Sequence, residues 1–458
     1  MPEFLIDAGK TGEDLDIGRF AAGQGGISAE PMIDMHLNEL RNLKFKLIRL
    51  FLQDYFEVYP KRGVYNWKLL DRSVDAILAA GAKPLMCITF KPKILFPEID
   101  QKKVEPNDLK QWEKLIYELV KHYNTDKKYG IEYWEIANEP DIGEAGGCPY
   151  LFTPANYPGF YEHTVKAVKR ADPAAKVGGP ALANYKSPIL PALLKYCSNK
   201  KVPVDFVSWH MYNDDPENFK NSILHVKKLL KNYPKLKCET TINEWNVSFG
   251  ASLMKHLALP EYQPCFIIEV INNMIEQGLS NCCYYHIRNV NGSKDTYSFL
   301  SRNGAAGAAD GQNYLFNLLG LFDYQGIMRP AYFSFKLLSR LLGKKIILKK
   351  QNSHVKALAA YDPYQEEVNI LLWNFAVKAP KKEKIKLKLT GLKKGTYGYR
   401  RFLLDAKTTS LEEEKKLKVI NWEDTKTLNT FKTSFDLAPY GVTMINFKLN
   451  KTNKLVLY

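Results

Sequence analysis

Over roughly the first three quarters of the chain, short apolar runs alternate with stretches whose apolar residues recur every three or four positions. The first pattern is that of strands buried on both faces, the second that of amphipathic helices. Residues 17–22 read as a first strand, leading into a loop with Gly23, Gly25 and Gly26. Residues 31–43 read as a helix with Ile33, Leu37 and Leu40 on one face. Residues 46–52 form the next strand, followed by a helix capped by Asn66 and stopped at Gly81. The same unit recurs with strands at 84–90, 133 to about 139, 176–180, 206–212, 238–245 and 281–286. Their helices fall at 106–122, 154–170, 187–197, 216–231 and 261–277, with a last one at 331–342. Eight strands, each feeding a helix, predict a (β/α)₈ barrel, the TIM barrel.

The rhythm changes after about residue 343. Residues 355–361, 368–375, 384–389 and 442–447 read as strands; several alternate apolar with polar positions and are joined by Gly- or Asp-bearing turns. That is the antiparallel signature. The expected organisation is an N-terminal segment at 1–16 able to add a strand to the second module, a catalytic barrel at 17–342, and an antiparallel β-sandwich at 343–458.

Composition narrows the class. The chain has 458 residues, 45% hydrophobic and 25% charged, as in an ordinary globular protein. A formal net charge of +16 raises the question of nucleic acid. The excess Lys are scattered, as at Lys227-Lys228, Lys344-Lys345 and Lys381-Lys382, and are not interleaved with stacking aromatics. No nucleic-acid partner is expected; an acidic glycan or a negatively charged cell surface would suit the charge. Seven Cys are present with no CxxC pair, so no zinc ribbon or disulfide framework is expected, a single pair among the loop cysteines staying open. No HExxH occurs, and neither a metal nor another cofactor is expected. No run is long and apolar enough to span a membrane. The expected location is extracellular or periplasmic, a signal peptide lying outside this chain, with the cytoplasm as the alternative. The oligomeric state is not readable.

The chemistry lies at two strand ends. Tyr133-Trp134-Glu135-Ile136-Ala137-Asn138-Glu139-Pro140-Asp141 ends the fourth strand, and Pro140 forbids a further ladder donor. Thr240-Thr241-Ile242-Asn243-Glu244-Trp245-Asn246 repeats the Asn-Glu doublet on the seventh. Barrel enzymes carry their sites at the carboxyl ends of the strands, and strands four and seven face each other across the mouth. A carboxylic acid opposite a carboxylate is what glycoside hydrolysis needs. His210 and Tyr212, two apart on the sixth strand, point to one side. Arg49, buried on the second strand, needs a carboxylate partner, for which Glu244 is the candidate.

These motifs, with Gly63-Val64-Tyr65-Asn66-Trp67, His210-Met211-Tyr212 and Gly81-Ala82-Lys83-Pro84, make the chain resemble the retaining glycosidases with catalytic Glu on strands four and seven, and most of all family 39 of the glycoside hydrolases. That family holds β-xylosidases and α-L-iduronidases. The resemblance implies an exo-acting retaining glycosidase on an oligo- or polysaccharide, with Glu139 as acid/base, Glu244 as nucleophile and Asn138 on a sugar hydroxyl. It also implies that Tyr212 holds the nucleophile and that His210 contacts substrate or the acid/base. Departures fall at Leu50-Phe51-Leu52, where the β-xylosidases carry Phe-His-Gly, and at Tyr284-Tyr285-His286-Ile287-Arg288, where they carry Trp. Tyr285, His286 and Arg288 are therefore further candidate substrate residues, and a pentose, a hexose or an acidic sugar drawn to Arg288 all stay open. The competing readings are a non-catalytic carbohydrate-binding protein and a nucleic-acid-binding protein.

Overall fold

A computed structural model describes residues 2–25, 27–249, 258–349, 353–378, 380–409, 418–427 and 429–450. Eight parallel strands close into a barrel in chain order: Gly23–Gly25, Leu47–Leu52, Lys83–Ile88, Tyr133–Ile136, Lys176–Leu182, Phe206–Tyr212, Glu239–Asn246 and Asn281–Tyr284, the last pairing with the first. Their side chains are almost all buried, as a barrel filled inside and covered by helices outside requires. The helices Lys68–Ala79, Leu109–Lys121, Tyr157–Ala171, Ile189–Lys200, Pro216–Leu230 and Tyr262–Glu276 pack outside it. Asp108 and Asp215 cap two of them with side-chain bonds to Gln111 N–H and Glu217 N–H.

Two strand expectations are corrected. Residues 17–20 form a helical turn, Ile17–Phe20, and the first barrel strand is Gly23–Gly25, within the expected glycine loop. A side-chain carbon at position 23 would lie 2.8 Å from Ile287 Cγ1 and 3.1 Å from Phe45, so only glycine fits where this strand passes. The fourth strand ends at Ile136, not at Glu139. Ala137 (φ +72°) and Glu139 (φ +42°) take the left-handed conformation, which breaks the pleat and turns the Asn-Glu doublet onto the rim.

The C-terminal strands form two sheets. A seven-stranded sheet runs Lys418–Thr427, Gly395–Leu404, Val442–Leu449, Glu367–Asn374, Val355–Asp362, Lys344–Ile346, Thr11–Asp14. A three-stranded sheet runs Glu3–Asp7, Glu383–Thr390, Thr430–Leu437. The N-terminal segment thus contributes to both: residues 3–7 pair parallel with 386–390, and residues 11–14 antiparallel with 344–346. Phe4, Ile6, Ile370, Leu387 and Phe447 share the core between the sheets. Helix Tyr262–Glu276 joins barrel to sandwich through buried Glu269, which accepts from Trp373 Nε1 at 2.7 Å and pairs with Lys356. All seven cysteines are free, so the loop pairing left open in the sequence does not form. Among the described residues no helix is long and apolar enough to cross a membrane.

Candidate active site

The fourth and seventh strands bring Glu139 and Glu244 to opposite sides of one cavity of about 390 Å³ at the carboxyl end of the barrel. One oxygen of each carboxyl group and one ring nitrogen of His210 all lie within 4.8 Å of one another. Phe51, Asn138, Tyr212 and Tyr285 also line this cavity.

Beneath it, Arg49 is fully buried and spends its guanidinium on both doublets. Nη2 donates to Asn138 Oδ1 at 2.8 Å and Nη1 to Glu244 Oε2 at 3.2 Å. The expected partner of Arg49 is therefore present, yet a closer one was missed: Glu135 Oε2 accepts from both Nε and Nη2 at 2.7 Å. Both contacts fall on one carboxylate oxygen, a charge-assisted pair that leaves Oε1 to other donors. Glu135 Oε1 accepts from Ser208 Oγ and Asn243 Nδ2, each at 2.6 Å. A charge set wholly inside an apolar strand between Trp134 and Ile136 must be paired, and that was the signal available in the sequence.

The two catalytic candidates have different surroundings. Glu244 receives donors on both oxygens, Tyr212 O–H on Oε1 at 2.7 Å and Arg49 on Oε2. Among the described residues Glu139 meets no Lys or Arg directly; His210 Nδ1 lies 2.8 Å from its Oε1. Burial, reinforced by nearby Asp141 and opposed by the more distant Arg49, pushes the Glu139 carboxyl up to about 8. Burial also pushes His210 down to about 4, so its ring is neutral near pH 7. Gly146 borders Glu139, where a side-chain carbon would collide with Oε2.

Not every sequence candidate meets the cavity. Tyr285 lines it, with its hydroxyl accepting from Gln312 Nε2 at 2.8 Å. His286 is buried behind it, its Nε2 3.0 Å from the Phe316 carbonyl oxygen. Arg288 donates to the Tyr324 carbonyl at 3.2 Å and stands outside the lining. Past Tyr285 the chain leaves the cavity: neither His286 nor Arg288 is in its lining, and both side chains bond to the backbone of residues 316–324. Sequence reading missed Gln53, Tyr55, Phe249, Tyr297, Gln312 and Phe316, which reach the cavity from loops and short helical turns no local pattern marks. Asn246, which heads an Asn-x-Ser sequon, is fully buried and donates to the Tyr285 carbonyl at 2.6 Å, so it is no glycan acceptor in this fold.

The comparisons agree with this geometry. A β-xylosidase of Geobacillus stearothermophilus is 30% identical over 219 residues, 41% of this chain and 42% of that protein. One from Caldicellulosiruptor saccharolyticus is 26% identical over 304 residues, 60% of this chain and 57% of that protein. The match thus spans about half the length of these curated relatives. The crystal structure of a monomeric β-xylosidase from Caulobacter crescentus CB15 shares the fold with a TM-score of 0.77 at 19% identity, covering 98% of this chain and all of that one. The sequence profile of glycosyl hydrolases family 39 matches residues 29–410, most of the chain, and the chain belongs to that family.

Proposed function

We propose that this protein hydrolyses a glycosidic bond with retention of anomeric configuration, releasing one terminal sugar from an oligo- or polysaccharide. The observation that carries this is the facing pair, Glu139 and Glu244, with an oxygen of each inside a 4.8 Å span. Retaining enzymes hold their carboxyl groups about 5–5.5 Å apart and inverting ones about 6.5–9.5 Å, so the spacing favours direct attack by Glu244.

In the first step a Glu244 oxygen bonds the anomeric carbon, the bond to the leaving oxygen breaks, and that oxygen takes the proton of Glu139. In the second, water attacks the anomeric carbon, Glu139 takes its proton, and the ester to Glu244 breaks. The environments suit these roles. A carboxyl held protonated to about 8 can donate at neutral pH, while a carboxylate met by Tyr212 and Arg49 is oriented for attack. Asn138, fixed by Arg49, lines the cavity, and on this reading it bonds the sugar hydroxyl next to the reacting carbon.

The sugar is neutral on this reading. Among the described residues the cavity lining includes no Lys or Arg, and Arg49 lies below it with its donors engaged. That favours a β-xylosidase-like substrate over a uronic acid, and Phe51 and Tyr285 set which neutral sugar fits. A panel of aryl glycosides, with the released sugar's anomeric form followed by NMR, tests the proposal. Retained configuration on a neutral terminal sugar is expected. An inverted product, or turnover of uronides alone, would overturn it.

A further inference from the structure

Glu135 touches no cavity, yet more of the site's order runs through it than through any side chain that does. Arg49 spans the doublets by bonding Asn138 and Glu244, and its own orientation is fixed by the contact of its Nε and Nη2 with Glu135 Oε2. From its other oxygen Glu135 holds Asn243, the neighbour of Glu244, and Ser208 on the sixth strand, whose Oγ also accepts from Ala181 N–H at 3.0 Å. The Ala181 carbonyl in turn accepts from Glu139 N–H at 2.8 Å. One buried carboxylate thus ties together strands two, four, five, six and seven at the level just under the reacting groups.

Its charge matters as much as its bonds. Among the described residues the titratable groups around Glu139 are Asp141 on its own loop, Cys148 on the loop beyond, Arg49 on strand two, His210 and Tyr212 on strand six, and Glu244 on strand seven. Arg49 is the cation among them, and the one that draws Glu139 toward ionisation. Glu244 offsets Arg49 while it is a free carboxylate, but a glycosylated Glu244 carries no charge. Glu135, which takes no part in the bond changes, remains the carboxylate paired with Arg49 throughout.

We propose that Glu135 is a positioning residue that fixes Arg49 between the two Asn-Glu doublets and supplies its lasting counter-charge beneath the reacting groups. Its kinetic consequence rests on the glycosidase reading; its electrostatic consequence does not.

The test replaces the charge and then the shape. Isotope-edited infrared spectroscopy follows the protonated carboxyl band of Glu139, identified by its loss in Glu139→Gln. In Glu135→Gln the titration midpoint should fall by on the order of one pH unit, because Arg49 loses a contact counter-charge. An unmoved midpoint in folded Glu135→Gln would overturn the proposal. Glu135→Asp keeps the charge one methylene short, so the midpoint should hold while kcat falls on the order of 10–100-fold with little change in KM. Unchanged kcat in Glu135→Asp would overturn the positioning role, and that variant carries the test if Glu135→Gln does not fold. Should the wild type turn over no glycoside, the glycosidase reading falls while the infrared midpoint still decides for or against Glu135.

Discussion

Asn138-Glu139 and Asn243-Glu244 are the same dipeptide at the ends of facing strands, and the fold gives them opposite work. On strand seven, Asn243 turns into the barrel to hold Glu135, while Glu244 stands between Tyr212 and Arg49, receiving a donor on each oxygen. Just past strand four, Asn138 accepts from Arg49 and lines the cavity, while Glu139 has a neutral imidazole as its close partner. On the proposed reading, two identical carboxyl groups divide into acid and nucleophile according to which of them meets the cation.

The sharpest way to break the comparison is to remove each carboxyl group in turn. Glu244→Gln should lower kcat by on the order of 10⁴-fold or more on every substrate, because the attacking atom is gone. Glu139→Ala should cost about 10²–10⁴-fold, and most of that loss should disappear with activated aryl leaving groups and added azide. Equal, unrescued losses in steady-state assays of both variants would mean that the doublets do not differ in role.

A smaller effect is expected from the hydroxyl that marks the nucleophile's side. Tyr212→Phe removes one donor to Glu244 and none to Glu139. A hydrogen bond to a charged group contributes about 1.5–3 kcal/mol, so kcat/KM should fall about 10–100-fold while the alkaline limb of the pH profile stays in place. If that limb moved with the variant, the two carboxyl environments would be more tightly coupled than the geometry implies.

The pH dependence of the wild type is the mildest probe. Glu139 is raised from the usual carboxylate range to about 8, and its protonated form is the active acid, so kcat/KM should hold below that value and decline above it. The same shift has a stability consequence. The folded state keeps a proton that the unfolded chain has lost, so this group's contribution is fully present at acid pH and fades as pH rises toward about 8. Thermal unfolding of wild type against Glu139→Gln across that range should show a decline that the variant lacks.

Much of this was legible in the chain. Strand six, residues 206–212, lies where its apolar pattern puts it, and strands two, three and seven are within a few residues, because a strand buried on both faces announces itself as a continuous apolar run. The first strand was not legible: three residues containing two glycines have no pattern, and their place is set by Phe45 and Ile287 crowding against them. Strands 395–404, 418–427 and 430–437 of the sandwich were passed over too, since glycines, Lys and Thr dilute the apolar alternation there.

By itself the sequence determined the barrel, the sandwich after it, and the two Asn-Glu doublets on facing strands, because burial and periodicity are local properties written residue by residue. It also placed Arg49, His210 and Tyr212 near them. Tertiary structure alone decided that burial raises the Glu139 carboxyl, that Arg49 is shared between Glu135 and Glu244, and that Tyr285 reaches the cavity while His286 and Arg288 turn away. Those outcomes depend on distances of about 3 Å between residues far apart in the chain, and a carboxyl group's charge is set by neighbours that its own stretch of sequence does not contain.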